Sequence, residues 1–540
     1  MAWKWGFYDR FILVLFLILQ AIRCIDVPFS LLLVFLLPAL GVPFVYFAGK
    51  KSSKAAAWLV ALIAIVNIGL VLTTIPTVVS SSTHRYVEEY AWIPVLNSRF
   101  TLFVDGISAS IAIISLVLIV AASLFSINYM EGKKNLPVYY VLLSLLSVGL
   151  VGVFITSNLL LFYFCWELML LPAYFIIGGW GYRESYRAAF KFFIFTHAGA
   201  VFVLLGIGAI YMTTGATDMF TIAGNSTNPN MLLAFPDIAK WILLALTAGF
   251  AVKMAIVPLH MWLPDAHSEA PATMSALLSG VIISAGAYAI LRLSLGTVFP
   301  AVAGTDFGLA FLHGLSVFGV ISAFFGAFIA LVETDIKRII AYSSIAHMGY
   351  ILFGLSLYPS APLVGGAVVL TAAITGTVLH ILSHAVSKGL FFLSAGSVMH
   401  QTEQRDIREM GGLASRMPFT SASAIIAALS IAGSPPFACF ISEFLIFVGA
   451  FNVIKTDAFY LIPTVLMLIA TVLSLAYSLR FAHKIFLGKP KTETPNTETH
   501  KITDVPNYMK LSMLILIVFV VILGVYPTFF INLINTVGFI

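Results

Sequence analysis

The sequence predicts an all-α polytopic membrane protein with about fourteen transmembrane helices. Of its 540 residues, 60% are hydrophobic and only 10% are charged, and the mean hydropathy is +1.03. A soluble globular protein carries about 25% charged residues, so lipid must solvate most of this exterior. Apolar runs of about 20 residues, the length that crosses a bilayer as a helix, recur along the chain, and the charges cluster between them.

The predicted spans follow one another with few long interruptions. Two polar stretches, 214–230 and 488–507, are interpreted as surface loops, and no separate soluble domain is predicted. An apolar run at 11–22 has the basic flank of a signal peptide but no convincing cleavage site, so we interpret it as a retained membrane-entering or interfacial segment. The approximate ranges of the fourteen spans are 29–48, 57–79, 107–130, 136–154, 157–179, 189–212, 238–263, 273–297, 308–332, 338–357, 364–400, 419–451, 461–487 and 508–531.

The basic residues occur in short blocks between apolar runs. The net charge is +6, which in a soluble protein is one sign of nucleic-acid binding. Basic loops between apolar spans instead follow the positive-inside rule of membrane proteins, so no nucleic-acid partner is expected. The main blocks are Lys50-Lys51, Lys133-Lys134, Lys337-Arg338 and Arg405 to Arg416.

Several kinds of cofactor site have no sequence signature in this chain. The three cysteines, Cys24, Cys165 and Cys439, lie far apart, so neither a zinc nor an iron–sulfur ligand set is predicted from them. No GxGxxG follows a strand pattern and no GxxxxGK[ST] occurs, so neither NAD nor ATP is expected to bind. The patterns GxSxG and HExxH of hydrolases and metalloproteases are also absent.

Two predicted spans are broken by proline. The run at 238–263 contains Pro258, and the run at 419–451 contains Pro435 and Pro436. Proline frees a backbone carbonyl, and in lipid such a break must be buried in protein or line a watery cavity. Broken helices at corresponding places in two halves of a chain indicate a transport site.

Ionisable residues inside the predicted spans are the candidate functional groups. Each costs about 2.5–3.5 kcal/mol at the centre of a membrane helix, so a residue of this kind usually has a role. Glu167 and Lys253 lie within long apolar runs, and Glu443, like Asp265, follows a proline break by seven residues. A hydrogen-bonded neutral acid or a snorkelling lysine is the alternative interpretation. The apolar runs extend well to both sides of these residues, which favours proton transfer.

A stripe of titratable residues is predicted on one later helix. His380, His384 and Lys388 are spaced i, i+4, i+8, which places them on one helix face about 6 Å apart per step. Such a stripe is what a proton relay needs, whereas the lysine makes a metal site there unfavourable. His347, on the preceding span beside two serines, is a further candidate for the relay.

Other polar clusters are predicted near the ends of spans. His267 and Glu269, in DAHSEAP, are expected between two spans, either as a polar loop cluster or as an access or connecting site. Asp335, Lys337 and Arg338 indicate an interfacial anchor at the start of a span.

Four segments together resemble a known family. They are FCWELMLLPAYFIIGGWG, FAVKMAIVPLHMWLPDAHSEAPATMSALLSG, ETDIKRIIAYSSIAHMGY and RDIREMGGLASRMPF. They resemble the antiporter-like subunits of respiratory complex I, and the resemblance covers roughly residues 100–490. Related subunits occur in multisubunit sodium/proton antiporters. The resemblance implies fourteen transmembrane helices that contain two inverted five-helix repeats.

The resemblance also divides the chain. It implies N-terminal helices at 1–130, a first antiporter-like half at 131–300, a second half at 301–490, and a polar loop with the C-terminal helix at 491–540. The chain most resembles the M-type member, because Glu443 stands where L-like and N-like members carry lysine. Quinone, NADH and iron–sulfur clusters are then expected in partner subunits of the membrane-embedded assembly, and none is expected in this chain.

The resemblance assigns roles to the buried charges. Glu167 is expected to tune Lys253, the central proton carrier of the first half. Glu443 is expected to be the exit-side carrier of the second half, linked through His347, His384 and Lys388.

One position departs from the M-type pattern. A lysine that bridges the two half-channels is expected in the helix after the first break, but SGVIISAGAY places Ser284 there. Our hypothesis is that Lys388 supplies the missing charge. The main interpretation is a membrane-arm subunit of a complex I-like oxidoreductase that translocates protons, coupled to electron transfer in partner subunits, with a multi-pass location in the inner or plasma membrane. The alternatives are a subunit of a sodium/proton antiporter or a membrane-bound hydrogenase-type complex, and a purely structural membrane subunit.

Overall fold

A computed structural model describes residues 28–224, 228–359, 372–489 and 502–536. The apolar run at 11–22, Cys24 and most of the polar loop at 488–507 lie outside these residues. Within them, 12 helices are long and apolar enough to cross a membrane, and two further crossings are broken into shorter helices. The predicted total of about fourteen spans is therefore confirmed.

The helices have the following bounds, in chain order. They are α1 Ser30–Lys51, α2 Ser53–Ser80, α3 Gly106–Tyr129, α4 Leu136–Ile155, α5 Leu159–Trp180, α6 Ser185–Thr214, α7 Pro236–Met254, α8 Leu263–Glu269, α9 Ala272–Ala301, α10 Asp306–Val332, α11 Ile336–Ser356, α12 Ala372–Thr402, α13 Pro418–Ile431, α14 Ala438–Ile454, α15 Ala458–Leu487, α16 Asn507–Val525 and α17 Thr528–Asn535. Within the described residues, these bounds agree with most predicted spans to within a few residues, but the runs at 238–263, 419–451 and 508–531 each form two helices. The first of these runs also continues beyond its predicted end, to Glu269, and in the last one the chain turns before Pro527.

Lipid-facing and interior surfaces differ as expected for a membrane bundle. Large apolar side chains such as Phe44, Leu205 and Ile462 are exposed on the outside of the bundle. The interior instead contains many serines, histidines and lysines, and α9 and the described part of α12 are buried along almost their whole length. The stripe of His380, His384 and Lys388 is thus on a central helix, shielded from lipid.

A β-hairpin, which the sequence analysis did not predict, connects α2 to α3. Strands β1 Tyr86–Ile93 and β2 Ser98–Val104 pair antiparallel. The hairpin is held against the bundle by Glu88, whose carboxylate accepts hydrogen bonds from the backbone amides of Leu31 and Leu32 at 3.0 Å each. These are first-turn amides of α1, which have no partner within their own helix.

Both proline breaks are present, and their backbone groups find partners inside the protein. Between α7 and α8, the indole nitrogen of Trp262 donates to the Val252 carbonyl at 2.9 Å, and the Val257 amide donates to the Ser322 hydroxyl at 3.0 Å. Between α13 and α14, Gly433 adopts φ +64°, a left-handed conformation that glycine adopts without a Cβ clash. Protein groups thus satisfy backbone atoms at the first break, while Pro258, Pro435 and Pro436 themselves are exposed at the surface of the isolated chain.

Candidate functional site

Lys253 lies near the end of α7, just before the first break, with 2% of its surface exposed. Its ammonium nitrogen donates to the Trp166 carbonyl at 3.4 Å and lies 4.4 Å from the centre of the Trp166 ring. Within the described parts of the chain, no carboxylate oxygen lies within 4.0 Å of this nitrogen. A carbonyl and an aromatic face stabilise an ammonium ion only in part, so the group is suited to both gaining and losing a proton.

Glu167, the neighbour of Trp166 on α5, contacts a histidine rather than Lys253 directly. Its Oε2 atom lies 3.1 Å from Nδ1 of His197 on α6, while Oε1 has no hydrogen-bond partner. The Glu167 side chain is 23% exposed and that of His197 is 49% exposed, so the pair lies at the outer surface of the bundle. Glu167 remains within electrostatic range of Lys253.

The second cluster brings together four helices around two imidazoles. Nδ1 of His347 on α11 lies 3.2 Å from Nε2 of His380 on α12. The remaining nitrogens also have partners: Nδ1 of His380 lies 2.9 Å from the Ser442 hydroxyl, and the Tyr477 hydroxyl lies 3.3 Å from Nε2 of His347. Four groups from α11, α12, α14 and α15 thus form one continuous hydrogen-bonded chain.

Glu443 lies beside this chain at the start of α14. It is 7% exposed, and one of its carboxylate oxygens lies within 4.8 Å of a nitrogen from each of His347 and His380. Gly433 of the break faces the carboxylate so closely that a Cβ there would overlap Oε2 of Glu443. The second break therefore places a carboxylate next to the paired imidazoles, within reach for proton exchange.

The rest of the predicted stripe continues along α12. The Lys388 ammonium donates to the Ser343 hydroxyl and, at 3.2 Å, to the Ile340 carbonyl, both on α11. His384 lies between the pair and the lysine, with its ring centre 5.7 Å from that of His347, and neither of its nitrogens has a partner within the described residues. A buried imidazole without partners has both nitrogens free to exchange a proton with a neighbour or with water.

The middle of the bundle is linked by hydroxyl groups. Ser284 on α9 donates to the Gly280 carbonyl of its own helix at 2.9 Å, and among the described residues its hydroxyl has no hydrogen bond to the second half. One turn away, the Ser279 hydroxyl lies 2.8 Å from that of Ser344 on α11. Ser344 follows Ser343, the partner of Lys388, so a short series of hydroxyls leads from the first half to the stripe.

His267 lies in a different place from the one expected. It is not in a loop between spans but on α8, fully buried, with Nδ1 3.0 Å from the Leu263 carbonyl and Nε2 without a partner. It lies within electrostatic range of Lys337 and Lys388. Lys337 is also buried, and its ammonium donates to the Ala270 carbonyl at 2.5 Å.

The chain is similar to known membrane proteins in sequence. A family model described as NADH:quinone oxidoreductase/Mrp antiporter, TM, matches residues 156–474. The chain belongs to this family. The NADH-quinone oxidoreductase subunit M of Rickettsia prowazekii is 33% identical over 487 residues, which cover 89% of this chain and 92% of that one. The predicted resemblance to the M-type member is therefore confirmed.

Solved structures of the family share the fold. A chain of respiratory complex I from Thermus thermophilus aligns with a TM-score of 0.77 and 22% identity, covering 94% of this chain and 98% of that chain. A chain of the Mrp complex from a Dietzia species aligns with a TM-score of 0.78 and 21% identity, covering 95% and 97%. These two likenesses concern the architecture, whereas the similarity to subunit M favours the complex I branch of the family over the antiporter branch.

Sequence reasoning found most of the residues that this family member brings together, but not their partners. His347 and Glu443 lie together with His380 rather than with His384 and Lys388, the link expected from the sequence. His384 lies nearby, Lys388 donates to Ser343 and the Ile340 carbonyl, and Glu167 is within electrostatic range of Lys253. The partners that were missed are Ser442, Tyr477 and Gly433, and His197 could be given no role from the sequence. Serine, tyrosine and glycine recur throughout these helices, and the partner of His197 lies on another helix, so only packing distinguishes these residues.

Proposed function

We propose that this chain is a proton-translocating subunit in the membrane arm of a complex I-type NADH-quinone oxidoreductase. The observation that carries the proposal is that each broken helix has at least one buried titratable side chain beside it. Lys253 lies at the first break, and Glu443 with His347 and His380 lies at the second. Uncompensated groups of this kind are rare in membrane interiors and mark proton relays.

In the first half, Lys253 exchanges a proton under the influence of Glu167. The lysine is stabilised by a carbonyl and an aromatic ring rather than by a close carboxylate. A negative charge on Glu167 favours the ammonium form, and pairing of Glu167 with His197 or a neighbouring subunit weakens that effect. A change at the outer surface of the bundle thereby reaches the central lysine.

In the second half, protons pass along the imidazole pair to Glu443. The hydrogen bond between His347 and His380 holds one proton between two nitrogens. A histidine that gains a proton on one nitrogen can release one from the other. Glu443 accepts it beside the break. The chain itself is proposed to hold no redox group, so NADH, quinone and iron–sulfur clusters belong to partner subunits.

The two halves are proposed to connect through hydroxyls and Lys388 instead of a lysine at Ser284. The Ser279–Ser344 contact and the Lys388–Ser343 contact lie next to each other in the middle of the bundle. Hydroxyls both donate and accept hydrogen bonds, so they can pass a proton without carrying a charge themselves. Lys388 then supplies the positive charge for the crossing.

The orientation in the membrane follows from the basic loops. The first, third, ninth and eleventh crossings end on the same side of the bundle, and at or just after these ends lie Lys50-Lys51, Lys133-Lys134, Lys337-Arg338 and Arg405 to Arg416. By the positive-inside rule we place that side in the cytoplasm of an inner or plasma membrane.

Proton uptake by vesicles with the assembled complex tests the proposal. With Lys253→Met, NADH-driven proton uptake is expected to fall strongly, because losing a positioned acid–base group slows proton transfer by about 10²–10⁴-fold. Lys240→Met is the matched control, since Lys240 is at the exposed start of the same helix and pairs with Asp237 at 2.8 Å. Equal proton uptake in both variants contradicts the proposal. Proton movement that requires sodium but no electron donor would instead identify an antiporter subunit.

A further inference from the structure

The second cluster also has the composition of a metal site. His347, His380 and Glu443 each offer one ligand atom, these atoms all lie within 4.8 Å of one another, and all three residues are buried. Two imidazoles and one carboxylate are the ligand set of several zinc enzymes. The sequence spacing drew attention to His380, His384 and Lys388, where lysine disfavours a metal. The structure instead groups His380 with residues from two other helices.

The spacing of the two imidazoles fits a tetrahedral ion. Nδ1 of His347 and Nε2 of His380 are 3.2 Å apart and face each other. Zinc binds imidazole nitrogen at about 2.0–2.1 Å, so two such ligands at a tetrahedral angle are about 3.3 Å apart. A zinc ion can therefore replace the proton between the rings with little movement of either helix.

The other nitrogen of each ring is already held by a hydroxyl group. Ser442 contacts Nδ1 of His380 at 2.9 Å, and Tyr477 contacts Nε2 of His347 at 3.3 Å. Histidines that bind metals nearly always have such a partner on their second nitrogen, which fixes the orientation of the ring. This arrangement is present for both histidines of the cluster.

Glu443 supplies the anionic third ligand, and the nearby Lys388 ammonium is held by other groups. The carboxylate lies against Gly433 at the helix break, and the residues of that break are partly exposed, which gives a route to the site. Lys388 is directed to Ser343 and the Ile340 carbonyl on α11, and it does not occupy the space between the three ligands. Three protein ligands leave a fourth position for water.

We propose that His347, His380 and Glu443 form a binding site for a divalent cation of the zinc type, and that its occupation blocks proton movement in the second half of the chain. Binding replaces the proton shared by the two imidazoles and releases it to solvent, so the relay is interrupted at its centre. The binding itself is independent of the proposed function, whereas the block rests on it.

Zinc binding to the full-length chain in lipid nanodiscs tests the site. Titration with Zn²⁺ is expected to show one site that is lost in His380→Gln and in Glu443→Gln. His384→Gln is the matched control, because His384 is buried one turn further along the same helix but outside the ligand set, and its binding is expected to be unchanged. Zinc X-ray absorption is expected to show two imidazole ligands and one carboxylate.

Two milder variants keep the test valid if a ligand variant does not fold. Ser442→Ala and Tyr477→Phe retain all three ligands and are expected to weaken binding by about 10–100-fold, as loss of an orienting partner does at other metal sites. Absence of binding to the wild type at millimolar Zn²⁺, or binding that is unchanged in Glu443→Gln and His380→Gln, overturns the site.

The assembled complex then separates the site from its consequence. In vesicles, Zn²⁺ is expected to slow NADH-driven proton uptake over the concentration range in which it binds the isolated chain. Binding to the chain without any slowing of uptake overturns the block and contradicts a proton route through this cluster, while the metal site itself stands.

Discussion

The Lys388 ammonium on α12 donates a hydrogen bond to the Ser343 hydroxyl on α11, next to the serine pair that joins the two halves of the bundle. A buried lysine with only a hydroxyl and a carbonyl as partners is poorly compensated as an ion. This charge stands in a chain that has Ser284 where the sequence resemblance implies a bridging lysine. The contact is therefore the place where transfer between the halves can be tested.

We expect Lys388→Ala to lower the number of protons moved per electron, because the proposed crossing between the halves loses the buried cation that contacts Ser343. Ser343→Ala is the companion variant, since it removes the hydroxyl partner and keeps the charge, and its effect is expected to be smaller. Proton uptake and NADH oxidation are measured together in vesicles. A Lys388→Ala complex that pumps at the full proton-to-electron ratio contradicts the relocated bridge.

Gly433→Ala is expected to move Glu443 without unfolding the chain. An added Cβ overlaps the end of a flexible side chain, so the carboxylate is displaced more easily than the backbone. The left-handed conformation at φ +64° adds a penalty of about 1–2 kcal/mol for a residue with a Cβ. Proton uptake is expected to fall while thermal stability falls only by that penalty.

Gly215→Ala is the control for the backbone effect. Gly215 has φ +68° but no atom within 4 Å of an added Cβ, so the same conformational penalty arises without displacing any side chain. If both variants reduce proton uptake equally, the position of Glu443 is not the cause.

Arg405 is expected to matter far more for stability than Arg408 in the same loop. Arg405 donates to Asp335 at 2.7 Å and to Glu269 at 3.0 Å, and so ties the second half to the end of α8. Its side chain is 23% exposed, whereas that of Arg408 is 67% exposed. Arg405→Gln leaves two partly buried carboxylates with weaker partners and is expected to lower the free energy of unfolding by about 1–3 kcal/mol.

Arg408→Gln is expected to change that free energy by less than about 0.5 kcal/mol, because exposed ion pairs contribute little. Thermal unfolding of the purified chain in nanodiscs compares the two variants. Similar losses for both would mean that the link between the halves does not depend on this ion pair.

The membrane architecture was predictable because lipid imposes a strong rule on the sequence. Uninterrupted apolar runs gave the spans, and prolines 258, 435 and 436 gave the two breaks, since both signals lie within a single segment. The spacing of His380 and Lys388 likewise identified one face of one helix. The sequence could not show that Lys388 turns to Ser343 or that Glu167 pairs with His197, because each of these contacts joins two helices whose mutual rotation is set by packing.

The hairpin was missed for a related physical reason. Its strands are short and rich in apolar and aromatic residues, and in a chain with this composition they do not differ clearly from the end of a membrane helix. Glu88 also had no visible partner in the sequence, because Leu31 and Leu32 lie far away along the chain.

Glu88→Gln is expected to loosen the hairpin from the first helix. The carboxylate accepts hydrogen bonds from the two α1 amides and from the Tyr90 hydroxyl at 2.9 Å, whereas a glutamine amide offers one acceptor and turns a donor toward these donors. A loss of about 1–3 kcal/mol in the free energy of unfolding is expected.

Glu89→Gln is the control, since Glu89 is exposed and pairs only with the exposed Arg99 among the described residues, so its change should stay below about 0.5 kcal/mol. Faster amide hydrogen exchange at Leu31 and Leu32 in Glu88→Gln alone would locate the loss at the start of α1, and equal exchange in both variants would show that the carboxylate does not hold the helix end.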